Sequence, residues 1–306
     1  MRTAPASPAP GEVLALARRH WSPGAGTAEH LPLGFGAHHW RVADERNGTA
    51  LFMTLDPPSP TRPADSFVAA YRAAQGLDRA GTPGVLAPLD TRDGRVAVPC
   101  AGGLLSATPW REGRSPAPEE ATDASHRRRV RTLLGSLHTA TPPDGLRAWA
   151  ARVGPDLAQR LAEAAATPWQ EGPLGERARA LLRAAHPRLL EAERRYRELR
   201  EIEHAAAGRR VPTHGEPHTG NQLLTADGEL LLVDWETLAL APPERDLAAL
   251  PPADRGEHAE PAMLEMFALE WLLSEVEEYQ RWFRAPHTGT EDDRIALAGL
   301  EEELAP

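Results

Sequence analysis

The most constraining part of this sequence is a short hairpin pattern that lies inside a long helical region. Residues 211–221, VPTHGEPHTGN, form a polar segment, and hydrophobic segments follow at 222–225 and 229–234 around a turn at 226–228. Two hydrophobic runs joined by a glycine-containing turn predict a β-hairpin. Because helical periodicity flanks this hairpin on both sides, we expect it to serve a function rather than packing alone.

A hairpin brings the residues before its first strand close to the end of its second strand. Asn221 precedes the first predicted strand and Asp234 ends the second, so their side chains are expected to be neighbours. An amide oxygen and a carboxylate are hard ligands that suit Mg²⁺. Glu216, five residues before Asn221, is placed to accept a proton from a substrate hydroxyl. A base, an amide and a carboxylate in this order are the groups that phosphoryl transfer requires.

The first third of the chain shows a different pattern, of short extended segments around one helix. Hydrophobic segments near 31–42 and 49–56 flank an Asn-Gly pair at 47–48, which favours the positive φ of a hairpin turn. A helix is predicted over 64–80. Further short strands are predicted at 85–87, 95–99 and 104–107. This order is typical of an α+β lobe with an antiparallel sheet.

The remainder of the chain is mainly helical. The polar, turn-rich segment 110–116 predicts a hinge, so residues 1–110 are expected to form one domain and residues 111–306 another. Apolar residues recur at helical spacing through most of the second domain. The predicted helices cover 119–141, 148–166, 175–207, 261–283 and 292–304.

The polar segment and its hairpin resemble the aminoglycoside phosphotransferase family. The pattern H-G-D-x-x-x-x-N of that family, followed by a hydrophobic strand and D-W, is matched by residues 214–221 and 234–235. Residues 134–141, LGSLHTAT, and 241–247, APPERDL, are similar to two further segments of the family. The order agrees over nearly the whole chain. The resemblance implies a two-lobed, protein-kinase-like fold of the α+β class, with an antiparallel N-lobe sheet plus helix and a larger, mainly helical C-lobe.

The resemblance also implies roles for individual residues. Glu216 takes the place of the catalytic aspartate, while Asn221 and Asp234 take the places of the Mg²⁺ ligands. Asp246 matches an aspartate that braces the catalytic loop, and His214 is expected to be a second brace. The implied enzyme moves the γ-phosphate of ATP or GTP to a hydroxyl of a small, cationic acceptor. Such an acceptor is an aminoglycoside or a related antibiotic, and the enzyme would confer antibiotic resistance.

The nucleotide-binding lobe departs from the family pattern. Residues 33–40, LGFGAHHW, contain a turn that could cover phosphates. The residues expected to bind the nucleotide are Gly34, Gly36, His38, His39 and Thr54. Thr54 stands where the family has a strand lysine, and the helix over 65–80 has no glutamate to pair with it. All 34 basic residues are arginines. The candidates for the missing cation are Arg41, His38 and His39.

The second departure is Glu216 in place of aspartate. Its additional methylene moves the carboxylate by about 1.5 Å, and a misplacement of roughly 1 Å can lower a rate about 100-fold. Three functions therefore stay open. One is an active kinase, one is a catalytically impaired pseudokinase, and one is a small-molecule-binding protein that keeps the fold without using ATP.

Composition excludes several classes of protein. Residues 111–306 hold 24 arginines and 35 acidic residues, a net charge of −11, which disfavours nucleic acid and favours a cationic ligand. Solubility alone would also account for this charge. No apolar run is long enough to span a membrane, and no secretory signal is recognised. Cys100 is the single cysteine, so an intrachain disulfide is excluded. A cytoplasmic protein is expected.

The acceptor is expected to lie beside the catalytic loop. In the resembling family it is bound by a helical insert, here roughly 146–210, and by the C-terminal helices. Four carboxylates in those helices could face a polyamine, namely Glu270, Glu275, Glu277 and Glu278. An ordinary solvated helix face is the alternative interpretation of these four residues.

Overall fold

The computed structural model describes residues 1–205 and 209–305. The chain forms two compact units, one of Met1–Trp149 with Arg209–Gly256 and one of Ala150–Gly208 with Glu257–Pro306. The domain boundary expected at residue 110 lies within the first unit and stays a prediction. Among the described residues, no helix is long and apolar enough to cross a membrane.

The elements are numbered along the chain. The strands are β1 Thr27–Leu31, β2 His38–Asp44, β3 Thr49–Asp56, β4 Ala97–Cys100, β5 Gly103–Pro109, β6 Gly113–Arg114, β7 Val211–Thr213, β8 Gln222–Thr225, β9 Leu230–Leu232 and β10 Ala239–Ala241. The helices are α1 Pro10–His20, α2 Ala64–Arg79, α3 Pro118–Thr122, α4 Ala124–Thr139, α5 Leu157–Ala164, α6 Gly175–Ala205, α7 Glu244–Leu247, α8 Pro261–Arg284 and α9 Glu291–Glu303.

The first unit contains the predicted antiparallel sheet. Its five strands run in the order β1-β2-β3-β5-β4, and the hairpin predicted at the Asn-Gly pair joins β2 to β3. The extended segment expected over 31–42 is interrupted, because Gly34 and Gly36 adopt φ values of 67° and 88° that end β1 before β2 begins. The strand expected at 85–87 does not form. Val85 makes only an isolated bridge to Leu232.

The two faces of this sheet have different surroundings. Side chains alternate along a strand, so Trp40 and Val42 of β2 and Met53 and Leu55 of β3 share one face. This face packs with α1 into one hydrophobic cluster. The opposite face is left with the polar and aromatic side chains of the intervening residues, which are His39, Arg41, Phe52 and Thr54.

A second cluster anchors the hairpin predicted at 222–234. Phe67 and Leu77 of α2 and Leu134 of α4 are buried with Leu232 and Trp235. Strands β8 and β9 form the hairpin, and β6 adds a third strand beside β8. The hydrophobic side chains of β9 therefore attach the polar loop before β8 to two helices of the same unit.

One predicted helix of the first unit is divided. The helix expected over 119–141 appears as α3 and α4, which are separated at Asp123. The carboxylate of Asp123 accepts hydrogen bonds from the backbone nitrogens of Ser125 and His126, at 2.8 and 3.2 Å. Aspartate is a favoured N-cap because it satisfies such amides, so it begins a new helix here.

Every secondary-structure element described in the second unit is a helix. Helices α8 and α9 match the predictions within one residue at either end, and the predicted end of α6 at 207 falls outside the described residues. The helix expected over 148–166 is shorter than predicted. It begins at Leu157, after Gly154 and Pro155, and Glu193 accepts hydrogen bonds from its first two backbone nitrogens at 2.9 Å.

Candidate active site

The loop between β7 and β8 is held by a buried carboxylate. Asp246 is fully buried and accepts hydrogen bonds from the backbone nitrogens of His214, at 3.0 Å, and Gly215, at 2.6 Å. Nε2 of His138 lies 2.8 Å from the same carboxylate. Burial raises the pKa of Asp246, but the hydrogen bond and charge of His138 outweigh it and hold that pKa below its usual value. Asp246 thus braces the loop, as the resemblance implies.

His214 continues this bracing from the other side. Its Nε2 lies 2.9 Å from the backbone oxygen of Val233, and its Nδ1 accepts a hydrogen bond from the backbone nitrogen of Glu216 at 3.3 Å. These partners require a neutral ring with its proton on Nε2. Burial lowers the pKa of His214, which favours the same neutral form. The ring also packs against Trp235, with centroids 4.6 Å apart.

Gly215 allows the sharp turn at the start of the loop. Its φ is 95°, a backbone conformation that residues with a side chain rarely adopt. An added Cβ would also overlap the guanidinium of Arg245. That guanidinium donates a 3.0 Å hydrogen bond to the hydroxyl of Thr213. The turn therefore depends on the absence of a side chain at this position.

The hairpin places Asn221 beside Asp234. Gln222 pairs with Leu232, and the backbone nitrogen of Val233 donates to the backbone oxygen of Asn221 at 3.0 Å. Asn221 is therefore opposite the residue that precedes Asp234. Its side-chain nitrogen donates to the backbone oxygen of Glu216 at 3.0 Å, so its amide oxygen points to the other side. Asp234 has a φ of 68°, which is rare outside glycine and concentrated at functional sites.

Further acidic groups, which the sequence did not reveal, surround Asp234. Burial, together with the negative charge of Asp234, raises the pKa of Asp56 to about 7. Burial also raises the pKa of Glu236 well above its usual range, again with a contribution from Asp234. The hydroxyl of Tyr71 donates a 2.5 Å hydrogen bond to Asp56. These effects show that carboxyl groups from β3 and from the end of the hairpin share one region.

The residues expected to bind a nucleotide fall into two groups. Nδ1 of His39 lies 3.2 Å from the hydroxyl of Thr54, and the pKa of His39 responds to the charge of Asp234. A Cβ on Gly34 would lie 3.1 Å from Nε2 of His39, so Gly34 lies beside the pair formed by His39 and Thr54. Gly36 lies farther along that loop, with no atom within 4 Å of an added Cβ.

His38 does not share that place. Strand alternation turns it to the opposite face of the sheet, where its ring centroid is 6.1 Å from that of Trp40 and 5.9 Å from that of His30. Its neighbour His39 is buried, and burial lowers the pKa of His39 to about 4, so His39 is neutral at physiological pH. Neither histidine is therefore suited to replace a lysine.

The carboxylates expected to face a cationic acceptor have partners within the second unit. Glu270 is buried and accepts hydrogen bonds from the backbone nitrogen of Arg152, at 2.8 Å, and from the hydroxyl of Tyr196, at 3.1 Å. Glu277 and Glu278 form ion pairs of 3.1 and 2.7 Å with Arg281. Glu270 is therefore engaged inside the unit, whereas Glu277 and Glu278 are paired with an arginine of their own helix.

The donor set of Asn221 and Asp234, an amide oxygen and a carboxylate, is compatible in its chemistry with a magnesium ion. Among residues 1–205 and 209–305, no three His, Cys, Asp or Glu side chains are arranged to hold a metal ion by themselves. Mg²⁺ usually takes only one or two protein carboxylates and completes its octahedron with water and substrate phosphates. One carboxylate, that of Asp234, and one amide oxygen, that of Asn221, would be sufficient protein ligands for such an ion.

Comparisons with known proteins show the family and the fold of this chain. A sequence model described as a phosphotransferase enzyme family matches residues 27–283. Protein StrN of Streptomyces griseus is 31% identical over 251 residues, which are 74% of this chain and 73% of that protein. A spectinomycin phosphotransferase solved with ADP and spectinomycin has a TM-score of 0.74 at 14% identity, over 98% of this chain and 96% of its own.

A Plasmodium vivax ethanolamine kinase is also similar in structure. It has a TM-score of 0.56 at 9% identity and covers 91% of this chain and 82% of its own. At such low identity the similarity to these two structures shows the fold alone. They confirm the predicted kinase-like fold with its antiparallel N-terminal sheet.

Proposed function

This chain belongs to the phosphotransferase enzyme family and is a small-molecule phosphotransferase, and we propose that it moves the γ-phosphate of ATP or GTP to a hydroxyl of a small, cationic acceptor with the help of Mg²⁺. An aminoglycoside or a related antibiotic is the acceptor that best fits this proposal. It is supported by the acidic balance of residues 111–306 and by the similarity to a phosphotransferase solved with spectinomycin.

The observation that carries the proposal is the braced loop beside the hairpin. Asp246 and His214 fix the backbone on either side of Gly215, and the hairpin register sets Asn221 next to Asp234. Catalysis of phosphoryl transfer depends mainly on positioning and on electrostatic stabilisation. A rigid loop that presents a base, an amide and a carboxylate supplies the positioning.

In the proposed reaction the acceptor oxygen attacks the γ-phosphorus. The bond between that phosphorus and the β-phosphate oxygen breaks, and the nucleoside diphosphate leaves. Glu216 accepts the hydroxyl proton, and Asn221 and Asp234 would hold the Mg²⁺ ion. When bound, that ion would neutralise charge on the phosphate oxygens.

A catalytically impaired pseudokinase is the alternative, and one observation favours it. Thr54 stands in place of the strand lysine, and Asp56, two residues later, is held by Tyr71 rather than by a cation. An acidic group in this position disfavours the approach of a triphosphate unless another positive charge compensates for it.

Thermal denaturation with Mg²⁺ and either ATP or GTP tests the proposal. A ligand at 100 times its dissociation constant stabilises a protein by about 2.7 kcal/mol, so binding of one nucleotide is expected to raise the Tm by several degrees. Mass spectrometry of a panel of aminoglycosides and related antibiotics should then detect a phosphorylated product.

The outcomes separate the candidate functions. The absence of any Tm shift with both nucleotides would reject the kinase and most of the pseudokinase interpretation. Nucleotide binding without a phosphorylated product across the panel would favour the pseudokinase. The Asp234→Asn variant is expected to lose the Mg²⁺-dependent part of the shift, and an unchanged shift would show that Asp234 is not the metal ligand.

A further inference from the structure

The place of the missing lysine is occupied by groups that carry no positive charge. Thr54 is hydrogen-bonded to His39, which burial keeps neutral. Arg41 was the remaining candidate from the sequence, but its guanidinium lies over the ring of Trp110, 5.1 Å from the centroid. It sits opposite Phe52, four residues before Asp56 and hence about 13 Å away along the strand. Arg41 is therefore remote from the carboxylates around Asp234.

Arg62 approaches those carboxylates from a different element. It lies in the loop between β3 and α2, and its Nη1 is 3.5 Å from Oε1 of Glu236, two residues after Asp234. Its positive charge also acts on Asp56 and opposes the rise of that pKa. One arginine thus faces carboxyl groups from β3 and from the end of the hairpin.

The backbone of Arg62 is fixed before any ligand arrives. Its nitrogen donates to the oxygen of Ser59 at 3.1 Å, and its oxygen accepts from the nitrogen of Ser59 at 2.9 Å. The preceding loop contains three prolines, at 57, 58 and 60, and Pro63 follows directly. Proline fixes its own φ and restricts the residue before it, so this loop presents Arg62 with little loss of entropy.

The contact between Arg62 and Glu236 is long for a charged pair, and its two side chains differ in exposure. Charge-assisted hydrogen bonds are usually 2.7–2.9 Å long, whereas this pair is 3.5 Å apart. The Glu236 side chain is 8% exposed, but that of Arg62 is 33% exposed. The Arg62 side chain is therefore more accessible to solvent than the carboxylate that it faces.

We propose that Arg62 binds the nucleotide phosphates in place of the strand lysine and compensates for the carboxylates gathered around Asp234. This inference rests on the proposed function of the site. A guanidinium suits the task because its planar fork of donors matches two phosphate oxygens at once. The positive charge comes from the loop that follows β3 rather than from β3 itself.

A purely structural role for Arg62, as the counter-ion of Glu236, makes different predictions. A counter-ion is dispensable once Glu236 is neutral. Its removal lowers the stability of the fold rather than the affinity for phosphates. A phosphate-binding residue remains necessary whether or not Glu236 is charged. Removal of such a residue lowers the affinity for a ligand more strongly the more phosphates that ligand carries.

Isothermal titration calorimetry with Mg²⁺ and a nucleoside triphosphate, and separately with its parent nucleoside, distinguishes the two roles. We expect Arg62→Gln to weaken the triphosphate about 10- to 100-fold, the effect of losing a hydrogen bond to a charged group, and to leave nucleoside affinity within about 2-fold. Arg62→Lys should be intermediate because it keeps the charge without the fork. Arg147→Gln, which removes an arginine from an exposed ion pair with Asp65, is the matched control and should bind like the wild type.

Four outcomes overturn the inference. One is equal affinity of the wild type and Arg62→Gln for the triphosphate. Another is a loss of nucleoside affinity in Arg62→Gln as large as the loss of triphosphate affinity. Recovery of binding in the double variant Arg62→Gln, Glu236→Gln would assign Arg62 to charge balance alone, and that variant also serves if Arg62→Gln fails to fold. If the wild type binds neither ATP nor GTP, the proposed function fails and the role of Arg62 fails with it.

Discussion

The side-chain nitrogen of Asn221 donates a hydrogen bond of 3.0 Å to the backbone oxygen of Glu216. This contact joins the proposed metal ligand to the proposed base through the backbone of one loop. Because the bond uses the amide nitrogen, it directs the amide oxygen away from Glu216, where an ion can meet it. The position of the base and the orientation of the metal ligand are therefore set together.

Replacement of Asn221 should harm both stability and catalysis. Asn221→Ala leaves the partly buried backbone oxygen of Glu216 without this donor, which costs about 1–3 kcal/mol. Asn221→Asp keeps an oxygen for the ion but also loses the donor. We expect both variants to lower the free energy of unfolding in urea and to abolish measurable turnover. Full activity of Asn221→Ala would exclude this residue as a metal ligand.

The role of Glu216 can be tested by changing its charge and its length. Glu216→Gln removes the base while keeping the size of the side chain, so kcat should fall about 10²- to 10⁴-fold with little change in nucleotide affinity. Glu216→Asp withdraws the carboxylate by about 1.5 Å, for which we expect a loss of about 100-fold. Steady-state kinetics with the identified acceptor give both values. Faster turnover by Glu216→Asp would show instead that the glutamate impairs an enzyme built for aspartate.

Asp246 should be among the most costly residues to replace. It is fully buried and accepts two backbone hydrogen bonds as well as the contact with His138. Asp246→Asn puts an amide donor against these donors and leaves His138 without its charge partner. A loss of about 3–5 kcal/mol in the free energy of unfolding is expected. Asp65→Asn, in an ion pair with 68% of the Asp65 side chain exposed, is the control and should cost less than about 1 kcal/mol.

Replacement by alanine should change the free energy of unfolding in opposite directions at two glycines. Gly215→Ala forces a side chain into a φ of 95° and against Arg245, so it should destabilise the protein by more than about 1 kcal/mol and displace the loop. Gly135, in the exposed part of α4, has nothing within 4 Å of an added Cβ. Gly135→Ala should stabilise by about 0.5–1 kcal/mol because it favours the helix. Chemical denaturation measures both, and a tolerated Gly215→Ala would mean that the loop is not rigid.

The hairpin and its residues were predictable because the information is local. The glycine turn at 226–228 and the hydrophobic segments beside it set the strand register, and the register sets Asn221 opposite Val233. The breaks in the predicted elements were also local signals. Asp123 is a favoured N-cap, and Gly154 with Pro155 disfavours the helix that was expected there.

The acidic groups around Asp234 were not predictable in the same way. The contact of Asp56 with Tyr71 joins side chains on β3 and α2, and the approach of Arg62 to Glu236 spans 174 residues of sequence. Charged side chains are usually exposed, so a sequence pattern assigns them to the surface. Their burial is decided by how β3, α2 and the hairpin pack together, which no local pattern specifies.

The buried ring of His39 should make stability depend on pH in a defined window. Burial lowers the pKa of His39 to about 4 in the folded protein, from the ordinary histidine value of about 6.5. The unfolded chain therefore takes up a proton as the pH falls below about 6.5, while the folded protein does not until about pH 4. Stability from this residue is complete above pH 6.5 and is lost as the pH falls towards 4, by at most about 3 kcal/mol.

Urea denaturation of the wild type and of His39→Gln between pH 7.5 and 4.5 measures this contribution. The variant does not titrate at position 39, so its free energy of unfolding should fall less than that of the wild type over this range. His258→Gln removes an exposed histidine and is the matched control, whose profile should follow the wild type. If the His39→Gln and wild-type profiles stay parallel, then His39 accepts a proton in the folded protein as readily as in the unfolded chain. In that case it could supply a positive charge beside Thr54 after all, and the need for Arg62 at the phosphates would weaken.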